Sequence, residues 1–79
     1  MLAAEVSLYP METVESDRII RRSLEALAEF GLEYEVGTVS TRLRGADDEV
    51  WKGLRALFER ARAQGGEVAM VATITNARP

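Results

Sequence analysis

The stretch Glu33-Tyr34-Glu35-Val36-Gly37-Thr38-Val39-Ser40-Thr41-Arg42-Leu43-Arg44-Gly45 decides the fold. Tyr34 and Val36 alternate with charged or small neighbours, and Thr41-Arg42-Leu43-Arg44 alternates in the same way. That period of two is the mark of half-buried strands. The bend between them, Gly37 to Ser40, holds one glycine and leaves the turn type open. Two strands this close in sequence pair as a hairpin, and helical patterns flank the pair on both sides.

Upstream, Ile20, Leu24, Leu27 and Ala28 recur at three- and four-residue steps, widened by Ile19 and Phe30. The spacing predicts an amphipathic helix from about Ser16 to Phe30. Asp17 complements the dipole near its start, Thr13 or Ser16 is the candidate N-cap, and Gly31 is placed for a left-handed C-terminal cap. Downstream, Val50, Leu54, Leu57, Phe58 and Ala61 predict a second helix over roughly Asp48 to Ala63, capped by Asp47 or Asp48 and stopped by Gly65-Gly66. Trp51, beside that stripe, reads as a half-buried packing residue rather than a ligand-stacking one.

Two more strands lie outside the helices. In Ala3 to Tyr9, Ala4, Val6 and Leu8 alternate with Glu5, Ser7 and Tyr9, and Pro10 ends the run. Val68 to Thr75 is the last strand, followed by a loose tail, Asn76-Ala77-Arg78-Pro79. The order β-α-β-β-α-β predicts one ferredoxin-like α+β domain over residues 1–79: a four-stranded antiparallel sheet with both helices on one face.

That leaves the other face with no cover of its own. Val68, Met70, Ala72 and Ile74 suit the helix side, so Ala69, Val71, Thr73 and Thr75 face outward beside Glu5, Ser7 and Tyr9. Open sheet faces usually alternate to charged residues, whereas these are mostly small and uncharged. The expectation is a homodimer or homotetramer joined through sheet faces; the plainer reading is that strands simply favour valine and threonine. Chain length points the same way, because 79 residues build a marginal core that commonly needs a staple. Cysteine and histidine are both absent, so disulfides and ordinary zinc sites are excluded and self-association remains.

The same absences remove Ser-His pairs, thiol nucleophiles and histidine metal ligands. No glycine-rich phosphate loop is present. Thirteen acidic against ten basic residues, a net charge of −3, leave no basic footprint for nucleic acid. No apolar run approaches a membrane span, and Met1-Leu2-Ala3-Ala4-Glu5 lacks the features of a secretory signal. A cytoplasmic protein that is not an enzyme and carries no cofactor is the expectation. The acidic pairs Asp47-Asp48 and Glu33-Glu35 read as capping or solvated charges rather than general acids and bases. Arg42 and Arg44 share one strand face within reach of Glu5, for an ion pair or, less simply, an anion site. Ser7, Tyr9, Ser40 and Thr41 place hydroxyls on or beside the uncovered face and the bend. A pocket closed there by a partner would suit a small polar heterocycle.

The segments Ala4-Glu5-Val6-Ser7-Leu8-Tyr9-Pro10, Gly31-Leu32-Glu33-Tyr34-Glu35-Val36-Gly37, Thr41 to Gly45 and Asp48-Glu49-Val50 resemble the YkoF-like thiamine-binding proteins over nearly the whole chain. The resemblance implies a ferredoxin-like fold, subunits paired through their sheets, and non-catalytic binding of thiamine or its hydroxymethylpyrimidine part. By motif position it carries over Ser7, Gly37, Ser40 and Thr41 as ligand-binding residues; Tyr9 is added from the expected geometry. Two departures stand out. Arg44 replaces the family's usual acid before the hairpin-ending glycine, which inverts the local charge, and Ser40 stands where asparagine is common. The alternative is therefore a structural or regulatory interaction module with no retained ligand.

Overall fold

Alternation along the strands becomes side-chain direction in the computed structural model, which describes residues 1–78. The elements are β1 (Leu2–Pro10), α1 (Ser16–Leu24), a 3₁₀ segment (Glu25–Phe30), β2 (Glu33–Val36), β3 (Thr41–Gly45), α2 (Asp47–Ala63) and β4 (Val68–Thr75). The strands form one antiparallel sheet in the order β2-β3-β1-β4. This is the expected ferredoxin-like arrangement, and β4 keeps the bounds read from sequence. β1 runs one residue further at each end than expected. Of the expected tail, Asn76 to Arg78 form no regular structure and Pro79 lies outside the described residues.

The core lies between the sheet and the two helices. Ala4, Val6 and Leu8 of β1 and Leu43 of β3 point into it, against Ile19, Leu24, Leu27, Val50, Leu54, Leu57 and Ala61. Leu27, Leu57 and Val50 are fully enclosed, each contributing about 1.5–3 kcal/mol by leaving water.

The first helix departs from expectation in an informative way. It tightens to 3₁₀ geometry after Leu24 instead of running on as α-helix. Leu24, Leu27 and Phe30 recur every three residues, which is the 3₁₀ period, so the tighter turn keeps all three toward the core. Ala28, expected in the stripe, is exposed, and Ala26 is buried in its place. Gly31 ends the segment in the left-handed conformation (φ 62°). The expected caps are corrected at both helices. Glu15 precedes α1, with Thr13 accepting a hydrogen bond from the Glu15 N–H instead of capping the helix. Ala46 precedes α2, and Asp47 and Asp48 sit inside its first turn, where they meet the dipole as charges. Trp51 is 56% exposed, so it packs less than expected.

Two contacts fix how the helices sit. The Gln64 side-chain amide, just past α2, donates to the Ile19 carbonyl (3.3 Å), the Ser23 hydroxyl oxygen (3.1 Å) and the Arg60 carbonyl (3.1 Å). Ser23 is fully buried and donates to the Ile19 carbonyl at 2.6 Å. The second contact is Leu32, wedged between Gly45 and Gly53. A Cβ on Gly53 would fall 2.5 Å from Leu32 Cδ1, and one on Gly45 would fall 2.7 Å from Leu32 Cδ2. Glycine inside a helix costs about 1 kcal/mol relative to alanine; here it admits the leucine.

Gln64→Ala is expected to lower stability by about 1–2 kcal/mol, a fall of roughly 4–16 °C in Tm for a domain of this size, measured by thermal denaturation. Gly53→Ala is expected to destabilise too, despite its better helix propensity, because Leu32 is pinned on both sides. A rise in the urea midpoint of Gly53→Ala would contradict this account of Leu32.

Candidate functional site

The outward face is two different surfaces. Strand register aligns Glu33, Arg44, Ala3 and Thr75 in one row and Glu35, Arg42, Glu5 and Thr73 in the next. The β2–β3 half is therefore charged. Arg42 pairs with Glu35 at 3.8 Å and Arg44 with Glu33 at 4.0 Å, all four well exposed, so these pairs contribute little to stability. The expected Arg42–Glu5 pair is corrected: Glu5 stands opposite Arg42 in register, but the guanidinium turns to Glu35. A shallow, open trough of about 640 Å³ runs over this half and on across β1 to Thr73 and Thr75 of β4. The β1–β4 half carries Glu5, Ser7, Tyr9, Ala69, Val71, Thr73 and Thr75, with Glu5 the one charge among them. The smooth, weakly polar face expected from sequence is confined to this half.

A smaller cleft of about 180 Å³ opens at the hairpin end of the sheet. Its origin is local. Gly37 and Ser40 close the hairpin through a 2.9 Å bond from the Gly37 N–H to the Ser40 carbonyl, leaving Thr38-Val39 as a two-residue turn. Neither turn residue has positive φ, so neither primed turn type, I′ or II′, is present. Gly37 is required by proximity, since a Cβ there would lie 2.8 Å from the Ser40 carbonyl oxygen. The Ser7 hydroxyl reaches across from β1 and donates a long (3.4 Å) bond to the Val39 carbonyl, tying the turn to the sheet.

Four of the five residues expected at a site, Ser7, Gly37, Ser40 and Thr41, line this cleft. Tyr9 does not. It lies two residues beyond Ser7 on the outward face, opposite Ala69, and is 52% exposed. Thr41 is also placed differently from expectation. It pairs with Val6 and shares that residue's inward face, so its side chain is 5% exposed rather than on the open face. Val6, Leu8, Leu24 and Leu57 supply an apolar floor. The floor of the cleft and Asp17 thus lie under the hairpin on the helix side, with Ser7 reaching it from the outward side of β1, and not on the open face where a pocket was expected.

The one charged lining residue escaped the sequence reading. Asp17, in the first turn of α1, borders the cleft, and none of the ion pairs among the described residues involves it. A signal for it existed. Asp17, Ile20 and Leu24 stand at i, i+3 and i+7, so an acid occupies the apolar stripe. A carboxylate, hydroxyls and an apolar floor can together bind a small planar polar group, with the acid favouring a cation or a paired set of donors. Among the described residues no cluster of three or more acidic side chains is arranged to hold a metal ion, and no helix is long and apolar enough to cross a membrane.

Solved structures with the same fold include a hypothetical protein of Methanocaldococcus jannascii (TM-score 0.88, 20% identity, covering 98% of this chain and 80% of that one). A Streptococcus pneumoniae protein aligns with TM-score 0.89 at 18% identity, over 98% of this chain and 87% of that one. A Thermotoga maritima protein provisionally assigned to thiamine biosynthesis or salvage aligns with TM-score 0.83 at 19% identity, over 96% and 83%. At such identities the likeness speaks for the fold alone. No curated protein matches the chain at a significant level. The profile of the YKOF-related family, however, matches residues 2–79, and the chain belongs to that family.

Proposed function

We propose that this protein is a non-enzymatic, oligomeric binder of a small pyrimidine, with hydroxymethylpyrimidine or the matching part of thiamine as its ligand, working in the cytoplasm. The observation that carries the reading is the hairpin cleft, which Ser7, Ser40, Thr41 and Asp17 line together above an apolar floor. Family membership and the Thermotoga maritima relative support the ligand class. Drug-sized ligands occupy pockets of about 300–1,000 Å³, so a cleft near 180 Å³ suits one ring better than two. An aminopyrimidine offers an amino donor for the Asp17 carboxylate and ring nitrogens for the hydroxyls, while its faces rest on leucine and valine. Arg44 does not bear on this site, because it lies on the outward face against Glu33 and outside the cleft.

Assembly is the second part of the reading. A subunit packing its sheet on the weakly polar β1–β4 half would cover Tyr9 and Val71, which are large, apolar and more than half exposed. The charged β2–β3 half would stay at the rim. The other reading, an interaction module that has lost its ligand, draws on the arginine at position 44, whose ion pair with Glu33 makes that half of the face a surface of matched charges.

Isothermal calorimetry with hydroxymethylpyrimidine and with thiamine is expected to give binding heat, stronger per atom for the single ring. Asp17→Asn is expected to weaken it about ten- to a hundredfold, the worth of one charge-assisted hydrogen bond, with Ser40→Ala a smaller loss. Neither ligand binding would leave the interaction module. Light scattering is expected to show an oligomer that Tyr9→Glu breaks down by placing a charge on the covered face; a wild-type monomer at micromolar concentration would sink the assembly.

A further inference from the structure

The end of the sheet away from the hairpin holds a polar groove of about 620 Å³. The start of β1, the end of β3, the start of α2 and the residues that follow β4 meet around it. Its charged side chains are Arg44, Asp47 and Arg78. Asp47, the one carboxylate among them, already receives the Met1 amine at 2.9 Å. The two guanidiniums are left over. Arg44 Nε stands 4.0 Å from the Glu33 carboxylate, beyond hydrogen-bond length, and a terminal nitrogen of the same group lies 3.6 Å from the Met1 sulfur. A thioether is a weak acceptor. Arg78 enters no ion pair among the described residues. Two permanently charged groups thus line one groove, and among the described residues neither donates a hydrogen bond to an oxygen.

The chain after β4 is shaped toward this groove. The Ala77 N–H donates to Thr75 Oγ1 at 3.0 Å, a side-chain turn that bends the backbone just past the strand. Asn76 and Arg78 line the groove on the far side of that bend. Thr75 accepts this bond with its oxygen, so its O–H is still available as a donor, and the Asn76 amide adds two more. Charge here runs against the rest of the molecule. The chain carries a net −3, whereas Arg44, Arg78 and the Met1 amine against Asp47 leave two positive charges in the groove.

We propose that this groove binds a phosphate group, free or as the monoester of a small molecule. Charge selects phosphate over a carboxylate. A phosphate monoester carries about −1.5 to −2 at pH 7, which two guanidiniums balance, while a single carboxylate would leave one of them unmatched. Donor placement points the same way. Arg44 comes from the sheet and Arg78 from the residues beyond it, with Thr75 and Asn76 adding neutral donors, and the planar guanidinium fork matches phosphate oxygens two at a time. The groove is independent of the pyrimidine reading. Ala3 borders the groove and Ser7 the hairpin cleft, about 13 Å apart along β1 at about 3.3 Å per residue.

The test is a titration of the full chain with inorganic phosphate at constant ionic strength, which holds general screening fixed. The amide signals of Arg44, Thr75, Asn76, Ala77 and Arg78 are expected to shift and saturate in NMR spectra. Arg78→Gln and Arg44→Gln are each expected to weaken the binding about ten- to a hundredfold, the worth of a hydrogen bond to a charged group. Arg55→Gln, an equal loss of charge at an exposed position outside the groove, should leave it unchanged. Glycerol phosphate distinguishes the sources: binding tighter than that of inorganic phosphate identifies an esterified ligand, and otherwise the free ion is the ligand. No pyrimidine is present, so the outcome is read apart from the hairpin cleft. Shifts that never saturate overturn the proposal, as does acetate binding as tightly as phosphate. So does an Arg78→Gln variant that binds like the wild type, or an Arg55→Gln variant weakened to the same degree.

Discussion

Burial of the inward side of β1 is the contact on which the rest of the molecule depends. Ala4, Val6 and Leu8 lie under both helices, and β1 bonds on one side to β3 and on the other to β4. A strand from the first half of the chain is thereby held between two strands of the second half. Neither half can bury its helix stripe alone, because each stripe needs that shared floor. In so small a domain the whole of the hydrophobic stabilisation runs through this single layer.

One-sided cover then accounts for the surfaces that matter. Helices lie on one face only, so the other meets water or another molecule. Cover also runs out sideways. Tyr34 and Val36 of β2 have helix-side positions but remain 42% and 57% exposed, because the helices centre on β1 and β3. The hairpin overhangs where cover ends, and the cleft opens beneath it, between the bend and the start of α1. At the opposite edge β4 stands in the same half-covered position, without the glutamates that guard β2. The cleft and the open edge are two results of one geometric fact: two helices do not span four strands.

The polar and glycine contacts set the cleft's geometry. Gln64 ties the end of α2 to the Ile19 and Ser23 region of α1, and Leu32 seats α2 against the start of the hairpin. Together they fix how α1 and α2 sit against the sheet beside the hairpin. Gly37 closes the bend from the other side by letting the chain approach the Ser40 carbonyl. These groups position the elements that line the cleft. They are where a site of this size is held in shape.

Element order, strand faces and the bounds of β4 were legible in the sequence, because a period of two or of three to four is imposed by local backbone sterics and survives in one dimension. Gly31 and Gly65-Gly66 were legible for the same reason, each answering a left-handed backbone need. What escaped was decided by neighbours distant in sequence. The 3₁₀ turn after Leu24 follows from what the core accepts, Arg42 turns to Glu35 rather than Glu5 by competition between two adjacent strands, and Thr41 turns inward because pairing with Val6 sets its face. Asp17 belongs beside Ser7 and Ser40 only after the hairpin folds back over α1. By itself the sequence determined which elements form and which sides of them are apolar, since those are properties of a few neighbouring residues. Tertiary structure alone decided which polar groups meet and which edge is left open, since both depend on where the covering helices stop.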